Sequence, residues 1–63
     1  MHEVGTTLTD GVITRRVLWS DGKRLHIRSC WLTKTGDAAS HSFMLSAERW
    51  AEWVRERKPK PVQ

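Results

Sequence analysis

The chain has 63 residues, a formal charge of +4 and a single cysteine. That length allows one domain. The lone Cys30 excludes an intrachain disulfide, and no apolar run approaches the ~18 residues that a membrane span needs. No signal-peptide pattern opens the sequence, so the expectation is an intracellular protein with one reduced thiol and no membrane partner. A domain this small buries only about 60% of its unfolded surface and is marginal alone. His2, His26, His41 and Cys30 lack metal-ligand spacing, so no metal or other cofactor is expected, and self-association is the expected support.

In chain order, residues 4–9 predict a short, weak strand, and Asp10-Gly11 a turn. The β-branched and aromatic run VITRRVLWS (12–20) predicts a strand. Asp21-Gly22 reads as a two-residue hairpin loop, because glycine accepts the positive φ of a type I′ turn. KRLHIRSCWLT (23–33) is the return strand. Residues 34–40 read as a loop bending at Gly36-Asp37, and HSFML (41–45) as a fourth strand. The period then changes. Ser46 is a good N-cap, and Ala47, Trp50, Ala51, Trp53 and Val54 recur at helical spacing. Glu48 suits the start of that helix, and Arg55, Arg57 and Lys58 suit its end. Pro59 and Pro61 stop it. The expectation is an α+β domain over residues 1–58, a four-stranded antiparallel sheet followed by one helix, with a loose basic tail at 59–63.

Charge is uneven. Residues 15–34 hold Arg15, Arg16, Lys23, Arg24, Arg28 and Lys34 against Asp21 alone, a local +5. This is either a footprint for a polyanion or an ordinary solvated surface. Counting outward from Asp21-Gly22 pairs Trp19 with Arg24, Leu18 with Leu25, Val17 with His26, Arg16 with Ile27 and Arg15 with Arg28. One face then carries Val12, Leu18, Leu25, Ile27 and Trp31, with Arg16 a misfit, for the helix to cover. The other carries Ile13, Arg15, Val17, Trp19, Arg24, His26, Arg28 and Cys30. A covered face backed by a basic, aromatic open face is the general form of a single-stranded nucleic-acid platform, in which cations follow phosphates and rings stack on bases. A one-residue slip would exchange the two sets.

The order of elements and several residues resemble the positive cofactor four family of transcriptional coactivators. LHIRSCW (25–31) is similar to that family's aliphatic-x-Ile-Arg-x-x-Trp strand, and LSAERWAEW (45–53) to its Leu-Asn-x-Glu-x-Trp helix entry. Trp19, twelve positions before Trp31, matches a shared aromatic. The resemblance implies a curved four-stranded sheet plus helix, a homodimer, and binding of single-stranded DNA largely without sequence preference. It implies DNA contacts at Trp19, Arg28 and Trp31 and a structural role for Trp50. Turning Trp31 outward to stack would take a bulge near Ser29-Cys30. The family's Gly-rich basic stretch before the last strand is here AASHS, without Lys or Arg.

The candidate nucleic-acid-binding residues are therefore Arg15, Trp19, Lys23, Arg24, Arg28 and Trp31. One helix on a small sheet has little room to hide both Trp50 and Trp53, so Trp53 packs either on its own sheet edge or on a second helix across a two-fold axis. The second is favoured, which makes Trp53, Val54 and Arg57 the candidate dimer contacts. No paired carboxylates, no nucleophile with a nearby base and no phosphate-binding glycine loop point to an enzyme. RNA is a second candidate ligand, because stacking platforms accept either sugar. The rival reading is a small regulator or inhibitor of mobile-element type that docks the same Trp and Arg residues on another protein.

Overall fold

A computed structural model describes residues 3–62. Five strands and one helix follow in order: β1 (Thr7–Thr9), β2 (Thr14–Ser20), β3 (Arg24–Leu32), β4 (Ala38–Ser46), α1 (Ala47–Arg57) and β5 (Lys60–Pro61). They form one sheet in the order β4-β3-β2-β1-β5, with every neighbouring pair antiparallel. The fold class is α+β, as the sequence patterns indicate, with five strands in place of four.

The fifth strand comes from the segment expected to be a loose tail. Lys58 closes α1 in the left-handed region (φ 48°), and its N–H donates to the Val54 carbonyl at 3.0 Å. Pro59 cannot extend the helix, so the chain turns back along β1. Lys60 pairs with Thr9 and Pro61 with Leu8, and the Val62 N–H donates to the Thr7 carbonyl at 2.9 Å. Pro61 has no N–H to offer, which is tolerated on an edge strand. At the opposite edge β4 starts at Ala38, three residues before the expected His41. Its partner β3 is nine residues long, and pairing runs unbroken from Leu32↔Ala38 to Arg24↔Ser46. Cross-strand bonding thus carries Ala38, Ala39 and Ser40 into a strand their own propensity does not favour.

The β2–β3 hairpin differs from the expected register, and the difference sets the site. The Asp21 N–H donates to the Arg24 carbonyl, so Gly22 and Lys23 reverse the chain, not Asp21 and Gly22. Asp21 serves the turn from outside it: its carboxylate accepts from the N–H groups of Lys23 (2.9 Å) and Arg24 (2.8 Å). Ser20 pairs with Leu25 and Trp19 with His26. A bulge at Leu18 then shifts the ladder by one residue. Val17 pairs with Ile27, Arg16 with Arg28 and Arg15 with Ser29. Such a shift exchanges the faces of everything beyond it. Arg15 and Val17 therefore point toward the helix, and Arg16 to the open side. The faces expected for β3 stand. Val12, expected on the covered face, lies exposed in the turn before β2.

The core sits between the sheet and α1. Leu8, Val17, Leu25, Ile27 and Trp50 are buried, with Phe43, Leu45, Ala47, Trp53 and Val54 partly buried around them. Each fully buried aliphatic side chain contributes about 1.5–3 kcal/mol. The Ser46 hydroxyl caps the helix, accepting from the Arg49 N–H at 3.1 Å, and the Ala47 N–H donates to the Lys23 carbonyl at 2.8 Å. The helix start is thereby fastened to the β2–β3 turn.

Asp10 anchors the other turn. Its carboxylate accepts from the N–H groups of Ile13 (2.8 Å) and Val12 (2.9 Å). These bonds, with a smaller contribution from Arg57, hold its pKa below the ordinary 3.8 against a slight opposing effect of burial. A depressed folded-state pKa gives stability that is present above the unfolded value and lost as pH falls through the folded one. The melting temperature is therefore expected to fall as pH drops below about 3.8. Asp10→Asn should make that fall shallower, measured by circular dichroism melts from pH 7 to pH 2. A melting profile identical in slope for both proteins would show that this carboxylate does not carry the effect.

Candidate nucleic-acid interface

The open face is built of cross-strand rows. Nearest the β2–β3 turn, Arg24 stands opposite Ser46. Next comes Trp19–His26–Met44, then Thr7–Arg16–Arg28–Ser42, then Thr9–Thr14–Cys30–Ser40. Trp19 is 48% exposed and Met44 51%, so the first complete row is an apolar shelf with a histidine at its centre. Leu18, the bulged residue, lines a depression together with Arg28, Ser40, His41 and Ser42. The Arg28 guanidinium donates from Nη2 to Ser40 Oγ at 3.3 Å.

None of the five strands contains an aspartate or glutamate. Glu3, Asp10, Asp21 and Asp37 lie in turns and loops, and Glu48, Glu52 and Glu56 on the helix. The cations of the open face therefore have no carboxylate in the sheet to neutralise them. Cys30 is an exposed free thiol on the same face. Among the described residues no group of His, Cys, Asp or Glu is placed to hold a metal ion, and His2 lies outside those residues.

Of the six residues singled out for nucleic acid, four are on or beside this face: Trp19, Arg24 and Arg28 on strands, and Lys23 exposed in the turn. Arg15 is not. The Leu18 bulge turns it to the helix side, where its guanidinium carbon lies 4.7 Å from the Trp53 ring centroid and 5.4 Å from that of Phe43. Burial draws its pKa down, with Asp10 partly offsetting this, and Nε is buried without a hydrogen-bond partner. Its charge is spent on aromatic rings.

Trp31 is the second departure. No bulge occurs near Ser29-Cys30, and Trp31 pairs regularly with Ala39. The pleat puts it on the side of Leu25 and Ile27, 37% exposed, lining a depression at the far end of the sheet with Thr9, Thr14, Cys30 and Leu32. Trp19 and Trp31 thus stand at opposite pleat positions, and Trp31 reaches the open-face residues Thr9, Thr14 and Cys30 only at the sheet end.

The residue missed by pattern is Arg16, which takes the open-face place expected for Arg15. The signal was there: Val17, Leu18 and Trp19 are three consecutive apolar residues, and strict alternation cannot bury or expose all three sensibly. A bulge resolves that conflict. Trp53 packs within its own chain, 5.1 Å from the Trp50 ring centroid, and Val54 also packs on the core. Arg57 is exposed and acts electrostatically on Asp10.

No protein-family model, curated protein or solved structure matches the chain. No helix of the described residues is long and apolar enough to cross a membrane.

Proposed function

We propose that the open face of the sheet binds single-stranded nucleic acid, DNA in the first place, without marked sequence preference. The observation that carries this reading is the acid-free sheet: Arg16, Arg24 and Arg28 surround an exposed Trp19, with no strand carboxylate to pair with them. Arg16 and Arg28, without carboxylate partners, suit phosphates, while Arg24 lies within the field of the Asp21 carboxylate, and an exposed indole stacks on any base. The hydroxyls of Thr7, Thr14, Ser40 and Ser42 add donors that suit a sugar–phosphate backbone. The helix is a poor rival for duplex recognition, because its buried side is needed for the core and its Glu48, Glu52 and Glu56 are balanced by Arg49, Arg55 and Arg57, leaving no basic face. The activity is binding without catalysis, as expected of an intracellular cofactor of transcription or DNA metabolism. Self-association belongs to the same reading: a chain this small is marginal alone, and a dimer built on the helix side near Trp53, Val54 and Arg57 leaves the open face free.

The test is a tryptophan-fluorescence titration with unlabelled oligo-dT and a matched duplex at low and moderate salt. Quenching by the single strand, a much weaker duplex response and a linear loss of log affinity with log salt are expected. A second reading has its own observation. β4 brings no Lys or Arg to the face, and Leu18, Trp19 and Met44 are exposed, with Trp and Arg the residue types enriched at protein-interaction hot spots. Absence of quenching by either nucleic acid would favour that reading, a regulator or inhibitor docking on another protein.

A further inference from the structure

Arg16 and Arg28 stand directly opposite each other across β2 and β3. Like charges in that position repel and lower stability. The usual relief is a carboxylate on a neighbouring strand, but the flanking positions hold Thr7 on β1 and Ser42 on β4. Neither arginine makes an ion pair among the described residues, and the one hydrogen bond of the Arg28 side chain goes to a neutral hydroxyl, Ser40 Oγ. The row thus reads hydroxyl, cation, cation, hydroxyl on four adjacent strands. An anion placed between the guanidinium groups removes the repulsion and finds donors on both sides. The apolar row Trp19–His26–Met44 lies two residues along β3, about 7 Å away.

We propose that Arg16 and Arg28 form one clamp for a single phosphodiester, and that the bound strand crosses the sheet at right angles to the β-strands. Its phosphates follow the row of Thr7, Arg16, Arg28 and Ser42, and its bases lie on the row of Trp19, His26 and Met44. This rests on the single-stranded reading above and gives that site a direction and a size. The clamp row spans four strands, about 14 Å at the usual strand spacing. That sets a footprint of about four nucleotides, the low end for stacking platforms. A strand running along β3 instead would meet Arg28, His26 and Arg24 in single file, leave Arg16 aside and occupy a longer stretch.

The experiment measures affinity for oligo-dT of two to twelve nucleotides, with salt dependence, for the wild type, Arg16→Gln, Arg28→Gln, the double variant and Trp19→Ala. Affinity should level off near four nucleotides. Each single Arg variant should bind about tenfold more weakly, as for loss of a charge-assisted hydrogen bond. In the double variant the salt slope should fall by ~0.7, the value for one phosphate of a single strand. Because both arginines hold the same phosphate, either single variant should keep most of the wild-type slope, since the remaining arginine still neutralises it. Melting temperatures of the Arg variants should be unchanged or raised, since substitution relieves the repulsion. Wild-type affinity in Arg16→Gln, with Trp19→Ala still impaired, overturns the clamp and leaves the single-stranded reading standing. Single variants that each lose ~0.7, with a loss of ~1.4 in the double, would mean two separate phosphates and overturn the shared one. Failure of the wild type to bind any of these oligonucleotides overturns both the reading and the clamp.

Discussion

Replacing Trp50 with alanine is expected to leave the chain largely unfolded at room temperature. Trp50 is the one helix residue that is fully buried, and it packs with Leu8, Val17, Leu25 and Ile27 in the core. Truncating a buried tryptophan costs about 3–5 kcal/mol. At ~0.05–0.15 kcal/mol per residue, a domain of this length has only about 3–9 kcal/mol in total. The loss is therefore comparable to the whole stability. Trp53→Ala should cost less, because Trp53 is only partly buried, although it would also strip the Arg15 guanidinium of one of its two rings. Thermal melts followed by circular dichroism decide this. In a domain of this size each kcal/mol shifts the midpoint by about 4–8 °C, so a drop of only a few degrees for Trp50→Ala would show that the helix is not what covers the sheet.

The core position of Trp50 was legible in the sequence. Ser46 ahead of a helical apolar pattern marked the helix start, and the alternation of Leu25, Ile27 and their neighbours marked the buried side of β3. Both are local signals: a cap needs one hydroxyl and a pleat has a period of two. The turn at Asp10 was legible for the same reason, whereas the hairpin loop lies one residue later than Asp21-Gly22, at Gly22 and Lys23. What pattern alone misplaced depends on how two strands fit together. The Leu18 bulge is a property of the β2–β3 pair, and counting outward from a turn assumes that no residue is skipped. The start of β4 at Ala38 follows from the length of β3, and β5 from where Lys58 sends the chain. In each case the deciding partner is remote in sequence.

The bulge has a consequence for function. Arg15 and Arg16 are chemically identical neighbours on opposite faces of β2, and the extra residue at Leu18 decides which of them faces the helix. Arg15 becomes part of a stacked series on the helix side: His41 on Phe43 (5.8 Å between centroids), Arg15 over Phe43 and Trp53, and Trp53 against Trp50. Arg16 joins Arg28 on the open face. The same local insertion thus supplies a packing cation to the helix side and an exposed cation to the open face.

Trp19→Ala should weaken single-strand binding by about 1–3 kcal/mol, the usual worth of one base–aromatic stack, or roughly 5- to 150-fold in affinity. Trp19 is the open-face indole, 48% exposed, and is flanked in its row by His26 and Met44. Its exposure means that removal should cost the fold little, so the effect on binding can be read without a folding correction. Trp31→Ala is the matched control: it removes the same side chain from the same sheet, but on the helix-side face. It should leave affinity within about twofold of wild type, a change of under about 0.5 kcal/mol. Because each substitution removes a fluorophore, the measurement is anisotropy of a labelled oligo-dT in place of intrinsic quenching. A larger loss for Trp31→Ala than for Trp19→Ala would move the platform to the far end of the sheet, where Trp31 lines a depression with Thr9, Thr14 and Cys30. Equal losses would mean that the strand wraps the sheet end and touches both faces. Only an effect confined to Trp19 fits a single strand lying flat across the open face.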